Sequence, residues 1–152
     1  MSRRSGIAAC ITITAALQLA LAGPTVAQQR SDSYVEQADA IAVQQPGPHE
    51  GTGATTAHPF FEQAAGFDIV FRQRALHPGA SIGDHRNDKD EIYYVLSGRG
   101  ELTLDGEVSE VGPGAAILTR DGSRHGLRQL GDEDLVIIVV FRKPADRANP
   151  PR

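Results

Sequence analysis

The chain has 152 residues with 15 basic and 19 acidic side chains, so its formal net charge is −4 and its length suits one domain rather than two. The acidic balance argues against nucleic acid or anionic lipid as a partner. The one cysteine, Cys10, lies in the first segment of the chain, so the remainder has neither a disulfide nor a thiolate nucleophile.

The first 27 residues have the order of a secretory signal peptide. Two arginines precede an uncharged, largely apolar run over residues 7–22, and Thr25 and Ala27 place small residues before a cleavage point. A membrane anchor is the alternative, but the run is short for a span and no basic stop-transfer segment follows it. Cleavage would leave 13 basic and 19 acidic residues, a charge of 13 − 19 = −6. The sequence therefore predicts a periplasmic or secreted protein, with no membrane association after cleavage.

Residues 28–58 are predicted to form an N-terminal arm. Ser33 and Glu36 have the spacing of a helix capping box, and apolar residues between 35 and 42 would line one side of a short helix. The alternatives are a flexible leader or a strand that lies on a partner subunit.

The second half of this arm is predicted to be a linker. Residues 44–57 are rich in Pro, Gly and Thr and show little periodicity. His49 and His58 occur in this region, where histidines are usually solvated rather than ligands.

From residue 59 to 142 the sequence predicts short strands separated by turns, and residues 143–152 read as a flexible tail. Alternation near Phe71, the turn at Gly79, the hairpin signal at Asp105–Gly106 and the turn at Gly114 all fit this pattern. The continuous apolar run 135–141 indicates a strand covered on both faces. Many short strands without a convincing helix predict an all-β sandwich or barrel.

Two polar clusters stand out within this region. His85 and Asn87 are two residues apart, so on a strand they face the same side, as do Glu91 and Tyr93. His125 follows after a further set of turns. Imidazoles and a carboxylate are the ligand types that borderline divalent metals prefer, and a barrel brings inward faces together. The alternative is that these side chains are surface polar residues in an acidic loop.

The spacing of these residues resembles the two motifs of the cupin family, although a histidine, a proline and an asparagine are replaced by Asn87, Arg120 and Gln129. The first motif is Gly, five residues, His, one residue, His, three or four residues, Glu, six residues, Gly. The second is Gly, five residues, Pro, one residue, Gly, two residues, His, three residues, Asn. Here they read Gly79, His85, Asn87, Glu91 and Gly98, then Gly114, Arg120, Gly122, His125 and Gln129, with every interval kept.

The resemblance implies a cupin-like jelly-roll β-barrel that holds a divalent metal ion, whether iron, manganese, nickel, copper or zinc. The implied ligands are His85, Glu91 and His125. Asn87 replaces a family histidine, and an amide oxygen is a weaker ligand for these metals. Asn87 then either ligates weakly or hydrogen-bonds a bound ligand, or the site has lost its metal and binds an organic molecule directly.

Tyr93 and Arg124 are candidate substrate-binding residues. Tyr93 shares strand parity with Glu91 and is expected to face inward, unlike Tyr94, although it can equally be a core aromatic. Arg124 lies beside His125 and can bind a carboxylate or phosphate, whereas the alternative is a surface arginine paired with nearby acids.

Three classes of function remain open. The first is a metal-dependent oxygenase, lyase or isomerase acting on a small organic molecule. The second is a non-catalytic cupin module that binds a small molecule or a metal. The third is a structural role in which residues 28–58 are exchanged in a homodimer. The sequence assigns no catalytic residue and does not decide whether the chain is an enzyme, because one fold hosts many functions.

Overall fold

The computed structural model describes residues 33–143, which form ten β-strands and one short 3₁₀ helix. The predicted signal peptide, residues 1–27, and the predicted tail from residue 144 onward lie outside the described residues. Over 33–143, no helix has the length and apolar character needed to cross a membrane.

The strands follow one another closely along the chain, with the 3₁₀ helix at Ala38–Ala40 before them. Their bounds are β1 Val43–Pro46, β2 Ala54–Phe60, β3 Ile69–Leu76, β4 Ser81–Arg86, β5 Glu91–Ser97, β6 Arg99–Leu104, β7 Glu107–Val111, β8 Ala116–Thr119, β9 Arg124–Leu130 and β10 Leu135–Arg142.

The strands form two antiparallel sheets, which confirms the all-β prediction. One sheet has the order β1-β2-β3-β10-β5-β8, and the other has the order β4-β9-β6-β7. Side chains of both sheets alternate between buried and exposed, so one face of each sheet contributes to a shared core. The core consists of Leu76, Ala80, Ile82, Tyr93, Val95, Leu102, Ile117, Leu127, Leu135, Ile137 and Val139.

Two local sequence signals have different outcomes. Asp105 and Gly106 have φ values of 49° and 89° and join β6 to β7, as expected for a two-residue hairpin turn that needs positive φ. The prediction that 135–141 is covered on both faces is wrong. Leu135, Ile137 and Val139 are buried, but the residues between them are partly exposed because no second layer covers that face within residues 33–143. That outer face also carries exposed Ile92, Tyr94, Leu96 and Leu118.

The secondary structure predicted for residues 33–58 is corrected by the structure. The predicted helix is reduced to the three-residue 3₁₀ turn, and Glu36 accepts a hydrogen bond from the backbone N–H of Phe61 at 2.6 Å instead of closing a capping box. The linker predicted at 44–57 contains β1 and most of β2, which add two strands to the larger sheet. Its Pro and Gly residues concentrate in the turn between these strands rather than in a structureless segment.

This turn, residues 47–53, lies directly on β4. The backbone N–H of Ser81 donates to Thr52 O, and the N–H of Gly83 donates to Pro48 O, each at 3.0 Å. Such close contact between two backbones is possible because glycine has no Cβ: a Cβ on Gly83 would lie 1.9 Å from the carbonyl oxygen of His49.

We expect Gly83→Ala to destabilise the protein by about 1–3 kcal/mol, the usual cost of overpacking, because the 47–53 turn must move away from β4. The measurement is the free energy of unfolding in guanidinium chloride. Gly112→Ala is the matched control, since a Cβ there meets no atom within 4 Å. Equal unfolding free energies for the two variants would contradict the close contact.

Candidate functional site

The candidate site forms where the two sheets meet. β4 pairs with β9, and in this ladder His85 lies opposite His125. The register shifts between Ile82 and His85, an irregularity of the kind that re-aims side chains. Glu91 begins β5 in the other sheet, where it pairs with Thr119 of β8. The fold therefore gathers side chains that are far apart in sequence at one end of the core.

Hydrogen bonds hold both imidazoles by their Nδ1 atoms. Nδ1 of His85 lies 2.9 Å from the carbonyl oxygen of Gly83, which only accepts, so Nδ1 carries a proton and, in the neutral form of the ring, Nε2 has the lone pair. Nδ1 of His125 lies 2.8 Å from Oγ1 of Thr119. The two Nε2 atoms are 3.2 Å apart. Rings that are oriented through Nδ1, with Nε2 directed at other donor atoms, are typical of metal-binding histidines.

Glu91 completes the group of donor atoms. Its Oε2 lies 3.4 Å from Nε2 of His125, and both side chains are buried. Burial raises the pKa of Glu91, while Tyr93 and Asn87 act in the opposite direction. Burial, together with His85, lowers the pKa of His125 to about 4, so this ring is neutral near pH 7.

Tyr93 faces inward and Tyr94 faces outward. Tyr93 is 4% exposed, whereas Tyr94 is 44% exposed. The Tyr93 ring lies against His125, with ring centroids 5.1 Å apart. Burial and the nearby Glu91 carboxylate raise the pKa of Tyr93 well above its ordinary value, so its hydroxyl keeps its proton and remains a donor.

Asn87 is buried beside these residues. Its backbone N–H donates to Ser123 O at 2.8 Å and its carbonyl accepts from Gly122 N–H at 2.9 Å, which ties the turn after β4 to the turn before β9. The side-chain Nδ2 of Asn87 is buried without a hydrogen-bond partner of good geometry among the described residues. Rotating the amide would present its carbonyl oxygen instead, which can accept a hydrogen bond or bind a cation.

Arg124 lies outside this group. Its neighbour His125 faces the core, so Arg124 faces solvent, where its guanidinium binds the Asp84 carboxylate at 2.6 Å. The interpretation as a surface arginine paired with an acid therefore describes Arg124, and the contact with a bound ligand predicted for it has no support in this geometry.

His49 lies next to the site, although it is exposed as the sequence predicted. Its ring stacks on His85 with centroids 3.5 Å apart and an interplanar angle of 4°. Burial and His85 both lower the pKa of His49. No local pattern indicates this contact, which depends on the 47–53 turn lying on β4. The prediction that His58 is solvated is wrong, since this residue is 8% exposed.

The chemical types of these donor atoms suit a metal ion, but the side chains are not arranged as a complete metal site. Within residues 33–143, no group of three or more His, Asp or Glu side chains has the arrangement of a metal site. The donor atoms instead form two pairs that share Nε2 of His125, at 3.2 Å and 3.4 Å. Ligands bonded to one ion at about 2.1 Å lie about 3.0–3.4 Å apart, so a cation could contact the same atoms after small adjustments.

Comparison with known proteins identifies the domain. Residues 73–141 match the family model described as Cupin domain. The chain is 32% identical over 65 residues to a 5-nitrosalicylic acid 1,2-dioxygenase of Bradyrhizobium, covering 43% of this chain and 31% of that protein. It is 32% identical over 73 residues to an oxalate-binding protein of Thermotoga maritima, covering 47% of this chain and 60% of the relative. The chain thus spans less than two thirds of each of these relatives.

Solved structures agree on the fold. The polyketide cyclase RemF of Streptomyces resistomycificus superposes with a TM-score of 0.63 at 27% identity, covering 74% of this chain and 81% of the cyclase. A predicted oxalate decarboxylase of Thermotoga maritima superposes with a TM-score of 0.65 at 24% identity, covering 73% of this chain and all of that one, and bears on the fold alone.

The low pKa of His125 predicts how stability of the metal-free protein changes with pH. Between pH 6.5 and about 4 the unfolded chain binds a proton at this ring that the folded chain does not, so stability falls as pH falls through this window. The slope from one such proton approaches about 1.4 kcal/mol per pH unit. Glu91 acts with the opposite sign, because its pKa is raised on folding.

The measurement is the free energy of unfolding at several pH values in the presence of a chelator, for the wild type and His125→Gln. The wild type should lose more stability than the variant between pH 6.5 and 4. Parallel curves would show that His125 is not held neutral by the fold.

Proposed function

We propose, from the chain's membership of the cupin superfamily as a single small domain, that it binds a divalent metal ion through His85, Glu91 and His125 and acts on a small organic molecule. The observation that supports this most is the convergence of three donor atoms. Nε2 of His85 and Oε2 of Glu91 both lie within 3.4 Å of Nε2 of His125, and neither imidazole uses Nε2 for a bond to the surrounding scaffold.

A single proton cannot form hydrogen bonds among all three of these atoms. If Nε2 of His125 carries a proton, that proton can point at His85 or at Glu91 but not at both. A cation at this point would attract both lone pairs and the carboxylate together, which offsets the cost of burying Glu91 in its ionised form. The arrangement of these three atoms therefore favours a metal over a purely hydrogen-bonded cluster.

The side chains around the donors have separable roles in this proposal. When bound, the metal would act as a Lewis acid and a template with positions open to substrate, which suits oxygenase, lyase or isomerase chemistry. The Tyr93 hydroxyl, protonated at neutral pH, donates a hydrogen bond to the Glu91 carboxylate. Glu91 either ligates or, if it does not, serves as a general base. His49 covers one face of His85 and limits the access of water to it.

The relatives' names support a small organic substrate. One is named for 5-nitrosalicylic acid and the other for oxalate. Their overlap with this chain is partial, so the reaction and substrate of this chain remain proposals.

The alternative is a non-catalytic module that binds a small molecule or a metal. The presence of Asn87 where the family has a histidine favours this candidate, because an amide weakens the site for iron, copper, zinc or nickel. Metal affinity separates the two, since a weak site that fills only at high metal concentration would fit a binding module without metal chemistry.

The location and partners of the protein are also proposals. The charge order of residues 1–27 supports export to the periplasm or beyond, and the acidic charge disfavours nucleic acid. A homodimer remains a proposal that the mass of the protein in solution would test.

Metal content is the decisive test of the proposed site. Protein purified without an affinity tag should contain close to one iron, manganese, nickel, copper or zinc per chain by mass spectrometry of the elements. His125→Ala should lose the metal, because it removes the nitrogen that both donor pairs share. Asn87→His should tighten binding by about tenfold or more, because imidazole replaces an amide.

Arg128→Ala is the control, since this exposed residue pairs with Glu101 on the surface. Absence of metal from the wild type even after reconstitution with each of the five ions would refute the metal proposal.

Export predicts a shortened chain. Expressed at full length in a Gram-negative bacterium, the protein should appear in the periplasmic fraction with an N-terminus at residue 28, read by intact-mass spectrometry. A full-length mass in the cytoplasmic fraction would contradict the signal-peptide interpretation.

A further inference from the structure

Two arginines of β3 point into the core side of the larger sheet. Arg74 is 4% exposed, and Arg72, two residues before it on the same face, is partly buried. Arg74 pairs in register with Ile137 of β10, and Arg72 pairs with Val139, both of which are core residues. Charged side chains in such positions are almost never found without a compensating partner.

The contacts of Arg74 are with neutral atoms. Its Nη1 donates to Oγ1 of Thr55 at 2.7 Å, and its Nη2 donates to Oε1 of Gln45 at 3.1 Å. These bonds orient the guanidinium but supply no negative charge. Burial, together with the neighbouring Arg72, lowers the pKa of Arg74, which reflects a cation held in an unfavourable environment.

Arg72, which is only partly buried, differs from Arg74 in its contacts. Its Nε is buried without a hydrogen bond among the described residues. Over residues 33–143, no Asp or Glu oxygen lies within 4.0 Å of either guanidinium. Glu62 lines a cavity of about 20 Å³ beside Arg72 but lies beyond that distance. Within the described residues, therefore, neither guanidinium is paired with an acid.

These arginines face the candidate site. Val139 lies between Arg72 and Tyr93 in register, so the three side chains project from the same face of the sheet. Arg74 is close enough to both Tyr93 and His49 to influence them electrostatically. An anion held by the guanidiniums would thus lie on the same inner face as the residues around His85 and His125.

We propose that Arg74 and Arg72 form a binding site for the carboxylate of a small organic acid, which is thereby presented to the His85, Glu91 and His125 group. This inference rests on the proposed function only for the position of the ligand's reactive part beside those residues. The anion site itself is inferred from the two arginines alone. It names the substrate class that the proposed function leaves open.

A carboxylate fits this site better than a phosphate ester. A guanidinium offers a planar fork that matches the two oxygens of a carboxylate, and the buried Nε of Arg72 supplies a further donor. Two guanidinium nitrogens of Arg74 already donate hydrogen bonds to Thr55 and Gln45. Few donors are left for the additional oxygens of a phosphate. Both members of this pair are arginines and neither is a lysine. A compact anion with several charges would therefore gain little affinity from this site.

The test is titration calorimetry of the full protein with oxalate and salicylate, each beside its neutral amide, oxamide or salicylamide, in a buffer free of carboxylates. We expect at least one acid to bind about tenfold or more tightly than its amide. Arg72→Met and Arg74→Met should each weaken binding of that acid by about tenfold or more, and Arg74→Lys should restore part of it. Inorganic phosphate should bind more weakly than the acid.

Arg128→Met, at an exposed arginine that is paired with Glu101, is the control and should bind the acid like the wild type. Arg74 also joins β1 and β2 to β3 through its hydrogen bonds, so Arg74→Met can fail to fold. Arg72 makes no such bond within the described residues, so Arg72→Met then decides the question.

The outcomes separate this inference from the proposed function when metal content is measured on the same samples. Arginine-dependent acid binding in a protein without metal would support the carboxylate site and leave the metal proposal refuted. Metal in the wild type without binding of any acid, equal affinity for acid and amide, tighter binding of phosphate, or unchanged binding in Arg72→Met would each overturn the carboxylate site.

Discussion

The antiparallel pairing of β4 with β9 is the constraint on which the candidate site depends. It places His85 directly opposite His125, and the register shift before His85 turns that imidazole towards its partner. The 47–53 turn also contacts β4, where Gly83 leaves room for the carbonyl oxygen of His49. A single close contact between two backbones thus fixes both the sheet edge and the imidazole that stacks on His85.

Much of the fold could be predicted because its signals are local. Asp105–Gly106 specifies a turn with positive φ, and alternation around Tyr93 specifies which side chains face inward. The proximity of His85, Glu91 and His125 followed from motif spacing rather than from physics alone. Spacing carries that information because, once the turns fix the strand lengths, the register of an antiparallel sheet leaves few arrangements for the residues between them.

The remaining features depend on contacts between distant segments. Glycines in 44–57 suggested a linker, yet glycine also permits two backbones to touch, and the sequence does not distinguish the two uses. The stacking of His49 on His85 therefore could not be predicted. The burial of Arg74 was not predicted from the sequence, because its hydrogen-bond partners Thr55 and Gln45 come from β2 and β1. For Arg124 the sequence left two alternatives open, and its pairing with Asp84 fits the surface one, since residues adjacent in a strand face opposite sides.

The charges on the inner face show why a metal and an acidic ligand would reinforce each other. Arg72 and Arg74 bring two positive charges, Glu91 brings at most one negative charge, and His125 is neutral near pH 7 because its pKa is about 4. A divalent cation would add two more positive charges to an interior that already holds more positive than negative charge. An anion would then be bound more tightly with the metal present, and by thermodynamic reciprocity the anion would tighten the metal by the same factor. A neutral substrate would leave this imbalance in place, so the electrostatics of the interior favour an acid whichever reaction follows.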